Sequence, residues 1–277
     1  METLRYEITG RIARITLDRP ERGNGITTTM TRELAECVEQ ANLDRSVHVI
    51  ALAGEGKGFC GGYDLVEYAE HRPDNHDPST PWDPVLDYQF MSRNVRGFMS
   101  LFHSDKPVVC KVHGFCVAGG TDMALCSDLL VIADDARIGY PPARVWGVPT
   151  TALWAHRIGD QRAKRLLFTG DLITGAEALE WGLAIEAPPL AELDERFEAL
   201  LERISHVPAN QLVMMKLMVN QALYAQGLQA TQVLGTVFDG IARHTPEGYA
   251  FQARAAEAGF KQAVAERDAS FGPTSIR

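Results

Sequence analysis

At 277 residues, 45% hydrophobic and 23% charged, the chain has the composition of an ordinary globular enzyme, with room for one large domain or a domain and an appendage. Its formal net charge of −9 argues against non-specific nucleic-acid binding, so a phosphate-bearing ligand would need local basic contacts, for which Arg19, Arg22 and Lys57 are candidates. No apolar run approaches the ~20 residues that span a bilayer, and the charged, alternating N-terminus reads as strands rather than a signal peptide, so a cytoplasmic protein without membrane association is expected.

Leu4 to Leu17 predicts two strands joined near Thr9-Gly10. Thr27 to Gln40 has helical spacing, with Met30, Leu34, Cys37 and Val38 on one side, and Val47 to Ala53 is the next strand. A glycine-rich turn from Gly54 to Leu65 follows. Glu70 to Asp87 carries Pro73, Pro78, Pro81 and Pro84 and is expected to be an irregular loop. Within it, His71, Asp74, His76 and Asp77 lack a recognised ligand spacing and read as a solvated turn cluster, so no metal site is expected.

Val108, Val109 and Val112 form a β-branched run typical of a buried strand. Gly114 breaks it, and Ala118-Gly119-Gly120 opens an apolar helix at Met123-Ala124-Leu125. Val131 to Ala133 and Ile138 are short apolar pieces, and Gly139 to Gly147 is a turn leading towards a helix. Gln161 to Phe168 and Ala176 to Trp181 read as helices, and Gly182 to Ala187 as a strand ended by Pro188-Pro189. From Leu190 to Glu266 helix formers dominate, interrupted at Pro208, Gly227 and Pro246. The pattern predicts an α/β region over 1–189 and a helical region over 190–277.

Two turns share one design. Gly61 to Leu65 and Gly119 to Met123 both read Gly-Gly-x-Asp-apolar, each following a strand. Paired turns of this kind aim two backbone N–H donors at one point, which is how an oxyanion hole is built. Asp122 lies in the first turn of its helix, where a carboxylate suits the dipole and could also exchange a proton with a ligand. Gly56-x-Gly58-x-x-Gly61 matches a dinucleotide fingerprint, but no second strand ending in an acidic residue follows at the required distance, so NAD binding is rejected. Cys60 fits a nucleophile elbow only formally, because spacing nominates neither a base nor an acid. With Cys37, Cys110, Cys116 and Cys126 it reads as a buried thiol in a reducing compartment. His113 reads as a satisfied strand-end residue, and Asp128 as a structural one.

Lys57 to Leu65 and Lys106 to Asp128 resemble the two signatures of the crotonase (enoyl-CoA hydratase/isomerase) superfamily. The likeness extends through Ile15 to Pro20, Leu167 to Asp171, Glu177-Ala178, Trp181 to Leu183 and Thr245 to Gly248. The resemblance implies a spiral of repeated β-β-α units whose C-terminal helices assemble trimers, often paired as hexamers. It also implies acyl-CoA thioester chemistry, with coenzyme A as part of the substrate and no separate cofactor. Tyr63 and Gly119 match the family's two oxyanion donors, Asp122 its first catalytic glutamate, and Gly61 and Leu65 flank the place where coenzyme A's adenine is held. Two departures stand out. Tyr63 replaces the commoner alanine, and the second glutamate position falls on Pro142 or Ala143, leaving Tyr140 and Arg144 as the nearby polar residues. Enoyl-CoA hydratase is the activity expected. Alternatives are an isomerase, a CoA-thioester or C–C bond hydrolase, and an idle binding homologue.

Overall fold

The computed structural model describes residues 1–70 and 81–272. The N-terminal alternation gives the expected hairpin. β1 (Leu4–Thr9) pairs antiparallel with β2 (Ile12–Leu17), and Gly10 takes φ +61 in the turn. Helix α1 (Thr28–Leu43) starts where the Thr27 side chain accepts from Met30 N, and it buries Met30, Leu34, Cys37, Val38 and Ala41 at helical spacing. β3 (Val49–Gly54) then adds parallel to β2.

The proline-rich stretch ends earlier than expected. Asp83 accepts from Val85 N and Leu86 N, Pro84 takes the first helical position, and α2 runs through Pro84–His103, a helix the sequence reading did not assign. Prolines at this density suggest a loop, yet Asp83-Pro84 is a helix start, because proline lacks the N–H that a first turn leaves unpaired. At Gly97 an added Cβ would lie 2.6 Å from the Thr31 carbonyl oxygen, so only glycine lets α2 sit this close to α1. The His71, Asp74, His76 and Asp77 cluster lies outside the described residues.

β4 (Val108–Val112) extends the sheet beside β3 and turns at Gly114, φ +58, into β5 (Phe115–Val117), followed by α3 (Gly119–Ala124). The next turn repeats the step with β6 (Leu129–Ile132) beside β4 and β7 (Arg137–Gly139) beside β5. A 3₁₀ turn at Pro141–Arg144 and an irregular stretch lead to α4 (Trp154–Ile158) and α5 (Asp160–Thr169). β8 (Leu172–Thr174) pairs antiparallel with β7, and α6 (Gly175–Glu180) opens with a Thr174–Glu177 capping box. From β4 to β7 successive strands therefore alternate between a five-stranded sheet, β1-β2-β3-β4-β6, and a three-stranded one, β5-β7-β8. This is the α/β spiral the motifs imply. The strand expected over Gly182 to Ala187 is absent. That segment touches β6 through one bridge, Val131 to Glu186, and Pro188 and Pro189 offer no N–H to continue a ladder.

The helical region comprises α7 (Leu193–Ser205), α8 (Ala209–Ala225), α9 (Leu228–Arg243), α10 (Pro246–Ala258) and α11 (Phe260–Asp268), broken at the expected Pro208, Gly227 and Pro246. One buried cation pins it to the sheet domain. Lys216 Nζ on α8 donates to the carbonyls of Leu101 (2.9 Å) and Lys106 (3.1 Å) and pairs with Asp128 at 2.8 Å. Asp128 also accepts from Val108 N at 2.7 Å, the structural role expected of it. Among the described residues no helix is long and apolar enough to cross a membrane.

Candidate active site

The two glycine turns meet. Cys60 and Cys116 form a parallel bridge, and an added Cβ on Gly62 would stand 3.6 Å from Gly119 N. Peptide planarity then sets the direction of each donor. The Gly62 carbonyl accepts from Ile26 N at 2.9 Å and Asp64 N donates to Ile26 O at 2.9 Å. In a trans peptide C=O and N–H point opposite ways, so Tyr63 N–H turns away from Ile26. The Ala118 carbonyl accepts from Thr121 N (2.9 Å) and Thr121 Oγ1 (2.7 Å) along α3, so Gly119 N–H points out of the helix start. Ala118 holds this peptide at φ +53, a region that costs a residue with a Cβ about 1–3 kcal/mol.

Both turns open on a cavity of about 350 Å³, whose lining includes Gly61, Tyr63, Leu65, Gly119 and Tyr140. Its wall is largely apolar, with Phe90 and Met91 from α2 and Phe251 and Phe260 from α10 and α11. The C-terminal helices thus build one side of it. Such a site, apolar with a few aimed donors, fits a small organic group that presents one oxygen.

Asp122 is 1% exposed and does not line the cavity. Its Oδ1 accepts from Thr151 N (3.0 Å) and Thr151 Oγ1 (2.8 Å), and its Oδ2 has no partner among the described residues. Burial pushes its carboxyl up to about 7, against the pull of the Thr151 donors. Residues three apart share a helix face, and the Tyr63 ring lies against that face at Gly119, where an added Cβ would come within 2.8 Å of it. Tyr63 therefore covers the face that carries Asp122. Burial also raises the Tyr63 and Tyr140 phenols well above their ordinary range, so both remain protonated.

The lining contains a carboxylate that no sequence motif marked. Asp239, from α9, is 6% exposed; it accepts from Val148 N at 3.1 Å and pairs with Arg243 at 3.2 Å. Arg243 also bridges to Asp87 on α2 at 2.9 Å. Asp239 escaped notice because the inward face of α9 is small and polar (Gly235, Thr236, Asp239, Gly240) while Val233, Leu234 and Phe238 face outward. That inverts the pattern by which a helix face is ordinarily assigned.

The predicted contact residues divide. Gly61, Leu65 and Tyr140 line the cavity. Arg19 and Arg22 both pair with Asp64, at 2.8 and 2.9 Å; burial would raise this carboxyl, but Arg22 and Arg19 outweigh it and hold it at about 2. Lys57 is exposed on its turn, outside the lining. Arg144 is also outside it. Its guanidinium, 1% exposed, pairs with Asp171 and Asp268 and lies over Phe271, tying the 3₁₀ turn to the end of α11. His113 is half-buried and hydrogen-bonded to the Gly56 carbonyl at 2.8 Å. All five cysteines are free and buried, and burial alone carries Cys60 up to about 12, against thiolate chemistry. Among the described residues no group of three or more His, Cys, Asp or Glu converges as a metal would require.

Comparison with known proteins places the chain in a family. The family described as Enoyl-CoA hydratase/isomerase matches residues 7–252. A crystal structure of an enoyl-CoA hydratase from Mycobacterium smegmatis superposes with a TM-score of 0.93 at 59% identity, covering 98% of this chain and 95% of that one. The hydroxycinnamoyl-CoA hydratase-lyase of Pseudomonas fluorescens is 30% identical over 70% of this chain and 69% of its own. For the 1,2-epoxyphenylacetyl-CoA isomerase of Escherichia coli the identity is 29%, over 80% of this chain and 83% of that protein. With a likeness that spans both glycine turns and most of the helical region, the chain belongs to the enoyl-CoA hydratase/isomerase family of the crotonase superfamily, whose chemistry is that of acyl-CoA thioesters.

Proposed function

We propose that this protein is an enoyl-CoA hydratase, a lyase that adds water to a 2-enoyl-CoA. The observation that carries the reading is that the Gly62–Tyr63 and Ala118–Gly119 peptides, whose carbonyls are taken up by Ile26 N and Thr121 so that their N–H groups turn the other way, both stand at one apolar cavity. A thioester oxygen placed between them gains negative charge as the acyl chain becomes an enolate, and preorganised donors stabilise that charge without reorganisation. Asp122 occupies the position of the family's first glutamate, and Gly61 and Leu65 stand where coenzyme A is held in relatives. Coenzyme A enters as part of the substrate. Exposed apolar residues on α8 and α9, among them Leu217, Met218 and Phe238, support a homotrimer or hexamer. The free buried thiols support a cytoplasmic setting.

A double-bond isomerase is the second reading. It is favoured by Pro142 and Ala143 at the second glutamate position, because moving a proton between two carbons requires only one base.

Turnover of crotonyl-CoA, followed by loss of enoyl absorbance, tests the proposal through two variants of one residue. Gly119→Ala places a Cβ against the Tyr63 ring but keeps the donor; Gly119→Pro adds the same Cβ and deletes the N–H. The proline variant should fall a further ~10²–10³-fold in rate below the alanine variant. Equal rates in the two folded variants would remove Gly119 from the chemistry. Wild-type protein that neither binds nor converts acyl-CoA esters would refute the assignment.

A further inference from the structure

Asp239 has four properties that no other carboxylate among the described residues combines. It lines the cavity, it is buried, it comes from a helix whose glycines lie against neighbouring segments, and it is held by Val148 N–H and Arg243. Close packing is what brings it there. An added Cβ on Gly235 would lie 2.7 Å from the Pro149 carbonyl oxygen, and one on Gly240 only 2.2 Å from Asp87 Oδ2. These two glycines let α9 press against the segment before Thr151 and against α2. Gly147 completes the arrangement. A Cβ there would meet Tyr140 Oη at 3.3 Å and Asp239 Oδ1 at 3.6 Å, so the phenol and the carboxylate approach the same glycine. The other lining carboxylate, Asp268, is tied to Arg267 at 2.7 Å and to Arg144 at 3.0 Å.

We propose that Asp239, from the C-terminal helical region, is the catalytic acid/base that exchanges a proton with the substrate's α-carbon, supplying the carboxylate missing at Pro142-Ala143. The proposal rests on the acyl-CoA reading above. Asp239 takes the proton from the α-carbon of the bound acyl group. The electron pair of the broken C–H bond moves into the thioester, whose oxygen is held by Tyr63 N–H and Gly119 N–H. Returning the proton restores the ester. Burial raises the Asp239 carboxyl, Arg243 and the Val148 N–H oppose it, and Asp87 adds to the rise, bringing the group nearer the neutral range suited to proton transfer. Asp122 stands behind the Tyr63 ring, outside the lining.

The test uses butyryl-CoA, which has an α-proton but no double bond to hydrate. Exchange of that proton in D₂O is followed by mass spectrometry, and binding by calorimetry. Wild type should bind and exchange. Asp239→Asn should bind within a few-fold of wild type yet lose ~10²–10⁴-fold in exchange rate, at least tenfold more than Asp122→Asn loses. If Asp239→Asn is unfolded by circular dichroism, Asp239→Glu decides. It keeps the charge for Arg243 but moves the carboxylate by one methylene, so exchange should change at least tenfold. Exchange insensitive to these changes at Asp239, or lost more in Asp122→Asn, overturns the proposal and leaves the acyl-CoA reading standing. Wild-type binding without exchange also overturns it. Failure of wild type to bind at all removes the acyl-CoA reading and the proposal with it.

Discussion

Asp122 offers a measurement of stability that is independent of turnover. Its carboxyl rises from an ordinary value of 3.8 to about 7 because it is buried, with the Thr151 donors only partly offsetting the cost. Between those two pH values the folded chain keeps a proton that the unfolded chain has lost. Stability therefore falls as pH rises through this window, and the loss is complete above about pH 7. At roughly 1.4 kcal/mol per pH unit, the rise of about three units amounts to ~4 kcal/mol. Asp122→Asn removes the titration. Asparagine still accepts from Thr151, but its Nδ2 takes the place of the unpartnered Oδ2, and a buried unsatisfied donor costs about 1–3 kcal/mol. The variant should be less stable than wild type near pH 4 and more stable, by ~1–3 kcal/mol, at pH 8. Urea unfolding of both proteins at one concentration from pH 5 to 8 checks it. The difference between them should move by about 3 kcal/mol across that range. A difference that stays constant with pH would refute the argument that Asp122 is desolvated and protonated in the fold.

Two further outcomes concern the helical region. Lys216→Met leaves Asp128 and the Leu101 and Lys106 carbonyls without their cation, and it should cost ~3 kcal/mol in urea unfolding; a loss under 1 kcal/mol would mean the buried pair does not anchor α8. Leu217→Glu combined with Met218→Glu places charge on an exposed apolar face of α8. Light scattering at micromolar concentration should find wild type as a trimer or hexamer and the double variant as a smaller species. A monomeric wild type would contradict the proposed assembly.

Much of the scaffold was legible because its signals are local. The N-terminal hairpin, α1, β3 and β4 follow from alternation or helical spacing in short windows. The breaks at Pro208, Gly227 and Pro246 follow from backbone chemistry that any context must obey. Errors fell where one local pattern permits two structures. Asp83-Pro84 is a turn or a helix start, and only the contact of α2 with α1, made possible by Gly97, selects the helix. Apolar residues before Pro188 suggested a strand, but β6 gains only one bridge there.

At the site, the two glycine motifs marked the two peptides proposed as donors, and both line the cavity, because a tight turn fixes backbone direction through its own residues. Side-chain partners were a different matter. Arg144 looks like a ligand contact beside Gly147 in sequence, yet Asp171 and Asp268, distant in the chain, bind it. Asp239 shows the converse: it lies far from either motif on a helix whose inward face is small and polar. Its place in the cavity is set by the contacts of Gly235 and Gly240 with α2 and the segment before Thr151. By itself the sequence determined the family and the two glycine turns that stand at the cavity, since both are written in contiguous residues. Which carboxylates reach the cavity was decided only by tertiary packing, because reach depends on how closely helices remote in sequence approach one another.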